Sequence, residues 1–70
     1  MMPLVFAPVG EEVEIKKING TPDVKQHLSD LGFHEGGKCT VVSTVPTGLI
    51  VGVKEARVAL DRSLAMKINI

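Results

Sequence analysis

The stretch Thr21–Phe33, TPDVKQHLSDLGF, spells one short helix with both ends written in. Thr21 is a good N-cap residue, and Pro22 suits the first helical position, where no amide donor is needed. Asp23 sets a negative charge at the positive end of the helix dipole. At the other end Gly32 can take the left-handed conformation just past the last helical residue, and Phe33 can then fold back onto Leu28 in a Schellman-type stop. Val24, Leu28 and Leu31 share one stripe at helical spacing, so the helix has a single apolar face and reads as a lid.

What it covers is read from the flanking segments. From Lys38 to Val45 the chain is rich in β-branched residues, with Cys39, Val41 and Val45 on one side and Lys38, Thr40 and Thr44 on the other, the period of a half-buried strand. Pro46-Thr47-Gly48 reads as a tight turn, after which Leu49, Val51 and Val53 alternate with Ile50, Gly52 and Lys54 to complete a hairpin. Arg57 to Leu60 forms a third strand. Asp61-Arg62-Ser63-Leu64-Ala65 breaks the alternation and reads as one helical turn capped by Asp61, followed by a closing strand in which Met66, Ile68 and Ile70 alternate with Lys67 and Asn69. Upstream, Glu12 to Ile18 places Val13 and Ile15 on one face, and the out-of-phase Ile18 implies a bulge or strand end near Lys16 and Lys17.

Five short strands and one helix fill a single domain over residues 1–70. A chain of this size buries only about 60% of its unfolded surface, so nearly every aliphatic named above belongs to the core and no deep pocket fits. Small β domains remove exposed edges by curling, and Gly52 together with the slip at Ile18 supplies kinks for that curvature. The expected architecture is mainly β: a small, partly open barrel with the helix across one end and a terminal helical turn.

Composition narrows the function classes. The 8 basic and 8 acidic residues cancel, and 2 Phe with no Tyr or Trp give neither a basic stripe nor a stacking platform for nucleic acid. A single cysteine forms no internal disulfide, the N-terminus lacks the pattern of a signal peptide, and no apolar run approaches the roughly 20 residues that span a bilayer. A cytoplasmic protein is expected, whose access to any membrane runs through a partner.

No phosphate-binding glycine loop, nucleophile elbow or zinc-protease helix is present, and the domain is read as non-enzymatic. Gly36-Gly37 is a turn signal. His34, Glu35 and Cys39 lie within six positions and form the one cluster of metal-ligating residue types. Their spacing matches no closed zinc pattern, which needs four ligands, so a surface histidine beside a half-buried cysteine is the plainer account. His27, three residues after Val24, is expected at the rim of the core.

The order of these elements resembles the FeoA family of ferrous-iron transport accessory proteins: Leu31-Gly32-Phe33 at the helix end, the Gly36-Gly37 turn, a valine strand, the Pro46–Gly48 turn, Arg57-Val58-Ala59-Leu60 with Leu64-Ala65, and a last strand to Ile70. The resemblance covers nearly the whole chain, from the Pro8-Val9-Gly10 entry onward. It implies an SH3-like β-barrel with a helix and a cytosolic protein that binds the G-protein-bearing membrane transporter FeoB in support of ferrous iron uptake. The same domain type is similar to the C-terminal module of metal-dependent repressors of the diphtheria-toxin-repressor kind. A second reading is therefore a small metal-binding or metal-sensing domain, with Fe(II) or Zn(II) as the ion and His34, Glu35 and Cys39 as the ligands to test.

The chain departs from the family pattern in two places. The helix offers Lys25, Gln26 and His27 where members often carry a basic pair, and the last hairpin reads Lys54-Glu55-Ala56 where a glycine is common. A domain with a committed core and no catalytic set works through its surface. The contact expected with a transporter is the helix surface at Lys25, Gln26 and Ser29 with the N-terminal Leu4 and Phe6, although the plainer account of Leu4 and Phe6 is that they complete the barrel core.

Overall fold

The computed structural model describes all residues 1–70. The helix, α1, spans Pro22–Leu31. Thr21 Oγ1 accepts the Val24 N–H at 3.3 Å, and Pro22 stands in the first turn. At the other end Gly32 has φ 107° and donates its N–H to the carbonyls of Leu28 and Ser29, while the Phe33 N–H donates to the Leu28 carbonyl at 2.9 Å. This is the expected Schellman stop. Phe33 and Leu28 are both fully buried, and Val24 and Leu31 pack half-buried against the same core.

Six strands make up most of the rest of the fold. β1 (Glu12–Glu14), β3 (Lys38–Val45), β4 (Gly48–Val53) and β5 (Ala56–Asp61) form an antiparallel sheet in the order β1-β3-β4-β5, and β2 (Lys17–Ile18) pairs with β6 (Ile68–Asn69) in a second, two-stranded sheet. The single strand expected from Glu12 to Ile18 is therefore two. Glu12–Glu14 lies along β3, Ile15 exchanges bonds with the Gly36-Gly37 turn, and Lys16 crosses to donate to Asn69. The slip at Ile18 marks this change of sheet, which turns Ile18 inward beside the buried Ile15 and Ile68.

Asp61 caps the helical turn α2 (Arg62–Ala65), its Oδ1 accepting the Leu64 N–H at 2.8 Å. The closing strand is shorter than the alternation implies: Met66 is exposed at the end of α2, and Ile70 is half-buried beyond β6. Ile70 exchanges two backbone bonds with Met2, and Pro3 bridges Asn69, so the two chain ends are tied together. That pairing directs Leu4, in a 3-10 turn over Leu4–Phe6, into the core.

The outward position of Val45 departs from the alternation expected in β3. The register between β3 and β4 shifts between Val41 and Ser43, leaving Val42 as an extra residue. A one-residue slip reverses every later side chain, so Val45 faces outward and is exposed. The kink expected at Gly52 lies instead in the opposite strand. Gly52 pairs regularly with Thr40 and Arg57, and its lack of a side chain leaves room for Val42 Cγ2, which a β-carbon there would meet at 3.5 Å.

The β4–β5 hairpin turns at Lys54-Glu55, where Lys54 takes φ 55°, the left-handed conformation that glycine adopts most readily. Gly48 serves a different need, since a β-carbon there would collide with the Leu60 carbonyl oxygen across the hairpin. The two glycines separate two effects. Gly32→Ala meets only ordinary contacts with Val53 but places a β-carbon at positive φ, and should lower stability by about 1 kcal/mol. Gly48→Ala collides with backbone and should cost more. Urea midpoints of the two variants check both the sign and the order.

Candidate functional site

One face of α1, the residues just after it and β2 enclose an open groove of about 230 Å³, lined by Ile18, Lys25, Ser29, Phe33, His34 and Glu35. Each side chain arrives by local chemistry already described. Lys25 and Ser29 are one helical turn apart on α1 and so share a face. The left-handed Gly32 turns the chain so that Phe33 goes down into the core and His34 and Glu35 come back beside the helix.

Two hydrogen bonds fix the walls. Glu35 Oε2 accepts the Ile18 N–H at 2.9 Å, and Ser29 Oγ shares a hydrogen bond with His34 Nδ1 at 3.4 Å. Glu35 thus satisfies the amide of a buried residue at the start of the second sheet, a contact across 17 positions of sequence. Lys25 has no carboxylate at ion-pair distance, since the one ion pair of the chain is Lys38–Glu12, at 4.0 Å between exposed side chains. A surface pair of that kind contributes little. The groove therefore presents a cation, a hydroxyl, an imidazole and the Glu35 carboxylate over the buried Ile18 and Phe33. No carboxylate bonds the His34 ring, so Ser29 and His34 do not extend into a catalytic triad.

The expected docking residues divide. Lys25 and Ser29 line the groove, whereas Gln26 lies outside it and donates from Nε2 to Asp30 Oδ1 at 2.8 Å. Phe6 is 61% exposed, but Leu4 is fully buried and is withdrawn from any contact surface, because the pairing of the chain ends points it inward. His27, expected at the rim of the core, is exposed instead, because the buried face of α1 is centred on Leu28.

The metal-ligating candidates also part. His34 and Glu35 line the groove, but Cys39 stands in β3 opposite Val13 and Val53, buried rather than half-buried. Burial pushes its thiol up from 9.0 to about 11, with the charge of Glu12 adding to the rise. No three His, Cys, Asp or Glu side chains converge, and the Glu35 carboxylate is already engaged by Ile18. These residues do not fit a resident metal ion of the closed zinc type.

The model of the FeoA domain matches residues 2–70, all but the first residue of the chain. The chain belongs to the FeoA family. Across all 70 residues it is 39% identical to a protein of Methanocaldococcus jannaschii described as Fe(2+) transport protein A, covering 85% of that protein. Its fold superposes with a TM-score of 0.84 on the FeoA protein of Chlorobium tepidum, 27% identical, over 97% of this chain and 67% of the other. With Stenotrophomonas maltophilia FeoA, determined in complex with zinc and described as a procaryotic SH3 domain protein, the TM-score is 0.81 at 25% identity, over 99% of this chain and 88% of the other. The SH3-like barrel expected from the FeoA resemblance is the observed fold.

Within this FeoA fold, the helical spacing places Lys25 and Ser29 on one face, and the structure adds His34 and Glu35 beside them, which the sequence reading did not bring together with them. The signal was present only in part: the positive-φ glycine predicts a reversal after α1, but not that β2 lies where Glu35 can reach it.

Two measurements follow from the groove and the cysteine. Glu35→Ala leaves the Ile18 N–H without its partner and should destabilise by about 1–3 kcal/mol, read from urea denaturation. Cys39, with its folded pKa above the unfolded value, holds its proton more tightly in the native state. Its contribution to stability is present below pH 9 and is lost as pH rises toward 11. Thiol labelling at pH 8 should be slow in the native protein and fast in urea, and Cys39→Ser should flatten the alkaline loss. Rapid native labelling would contradict the buried placement.

Proposed function

We propose that this chain supports ferrous iron uptake as an accessory protein, binding the cytosolic side of a FeoB-type, G-protein-bearing transporter. Membership of the FeoA family and identity with a Fe(2+) transport protein A over the full chain support the transport role. The observation that carries the binding mode is the groove beside α1, where Lys25 is a cation without a carboxylate partner above the buried Ile18 and Phe33. A partner with an acidic side chain fits it, because the Lys25 cation gains a partner there. Phe6, the exposed aromatic of the N-terminal turn, is a second contact, on the segment packed on α2. No helix is long and apolar enough to cross a membrane, so the membrane step in this reading belongs to the transporter.

The ligand trio of a metal-sensing reading is not assembled, since Cys39 is committed to the core. Iron is accordingly the cargo of the partner in this proposal.

Substitution tests the surface better than truncation, because removing the N-terminus also removes Leu4 and the pairing of Met2 with Ile70. Lys25→Glu and Phe6→Ala should each leave the domain folded by circular dichroism. Each should weaken binding to the isolated cytosolic part of the transporter about tenfold, corresponding to about 1.4 kcal/mol, and lower ferrous uptake in cells. Unchanged binding and uptake in both variants would remove these surfaces. Intact ferrous uptake after deletion of the gene would overturn the transport role itself.

A further inference from the structure

The four-stranded sheet has two edges without a neighbouring strand, the outer sides of β1 and β5. Their charges differ in what they permit. β1 is short and carries Glu12 and Glu14 on either side of Val13, so antiparallel pairing with a copy of itself sets glutamate against glutamate. β5 is six residues long and has no such guard.

The hydrogen-bond phase of β5 is fixed by its end. The Arg62 N–H donates to the Thr47 carbonyl at 3.0 Å, and Asp61 stands opposite Gly48. Bonded and non-bonded pairs alternate along an antiparallel ladder, so Leu60, Val58 and Ala56 direct their main-chain groups to β4. Asp61, Ala59 and Arg57 direct theirs away from the sheet. All three are exposed, and none of their main-chain groups enters a turn or loop bond. The Asp61 carbonyl, at the N-cap of α2, turns to the helix, which leaves the N–H groups of all three and the carbonyls of Arg57 and Ala59 open.

We propose that β5 pairs with β5 of a second copy of this chain, antiparallel, about a two-fold axis at Ala59. In that register Ala59 faces its own counterpart and exchanges two main-chain bonds with it, and each Asp61 N–H meets the Arg57 carbonyl of the second copy. The side chains agree with the backbone. Arg57 lies opposite Asp61 twice, alanine on the axis allows close approach, and on the other face Val58 meets Leu60. Displacing the register by one bonded pair separates the two charges, setting Arg57 against Ala59 and Asp61 against Glu55 in one direction and Asp61 against Ala59 and Arg57 against Ser63 in the other, and displacing it further sets Arg57 against Arg57 or Asp61 against Asp61. The self-complementary register is closed by symmetry, so pairing stops at two copies rather than continuing into a fibre.

A six-residue edge buries far less than the roughly 1,600 Å² of a standard stable interface, so the dimer forms with rising concentration. The proposal stands apart from the transporter reading, because neither Lys25 nor Phe6 lies on β5. Sedimentation of the full chain from about 10 μM to about 1 mM should show the average mass rising toward that of the dimer. The amide signals of Arg57, Ala59 and Asp61 should shift over the same range. Ala59→Pro removes an outward N–H without touching a bond to β4 and should abolish the association. Arg57→Glu sets glutamate against Asp61 and should raise the dissociation constant about tenfold, while Arg57→Lys preserves it. Should Ala59→Pro fail to fold, Arg57→Glu, an exposed side chain, decides. A monomer at every concentration, or a dimer indifferent to both substitutions, overturns the proposal.

Discussion

The hydrogen bond from the Phe33 N–H to the Leu28 carbonyl, made possible by the left-handed Gly32, is the constraint on which the rest of the structure depends. It ends α1, and in the same two residues it sends Phe33 into the barrel beside Leu28. Burying an aromatic side chain of that size contributes about 1.5–3 kcal/mol, a large share of what a domain of this length has to spare. The helix itself is only ten residues long and would be marginal in isolation, so its persistence rests on this anchoring and not on propensity. The same reversal returns His34 and Glu35 to the side of the helix where Lys25 and Ser29 project.

From there the constraint reaches the second sheet. Glu35 holds the amide of Ile18, β2 pairs with β6, and β6 continues into the exchange between Ile70 and Met2. The groove, the small sheet and the chain ends are thus connected through consecutive hydrogen bonds, while the larger sheet supplies six of the 14 buried core residues. Its surface holds what the core does not use: an unpaired lysine over apolar side chains, an exposed phenylalanine and an open strand edge. Each of these is suited to contact rather than to chemistry, as the proposed accessory role requires.

Local signals were legible in the sequence and non-local ones were not. Thr21, Pro22, Gly32 and Asp61 announce their caps because each satisfies or omits a backbone group within four positions. The hairpins were equally clear from turn residues and alternation. The extra residue at Val42 was invisible, since Val41, Val42 and Val45 are all good strand residues and only the pairing with β4 decides which one bulges. For that reason simple alternation sets Val45 on the inward side with Cys39 and Val41. Leu4 and Phe6 look alike in sequence, and their opposite fates are set by the pairing of Pro3 with Asn69, 66 positions away. The groove lay between: its helical half was readable, and its closure by Glu35 required knowing where the second sheet would stand.

Native-state hydrogen exchange at the Phe33 amide tests most directly whether the helix stop is an integral part of the core. If the account is right, this amide and that of Ile18 exchange only with global unfolding, at the same rate as the buried amides of β4 and with the same dependence on denaturant. Exchange at Phe33 by local fraying, well ahead of β4 and insensitive to denaturant, would show that α1 and the groove are an appendage, and would contradict it.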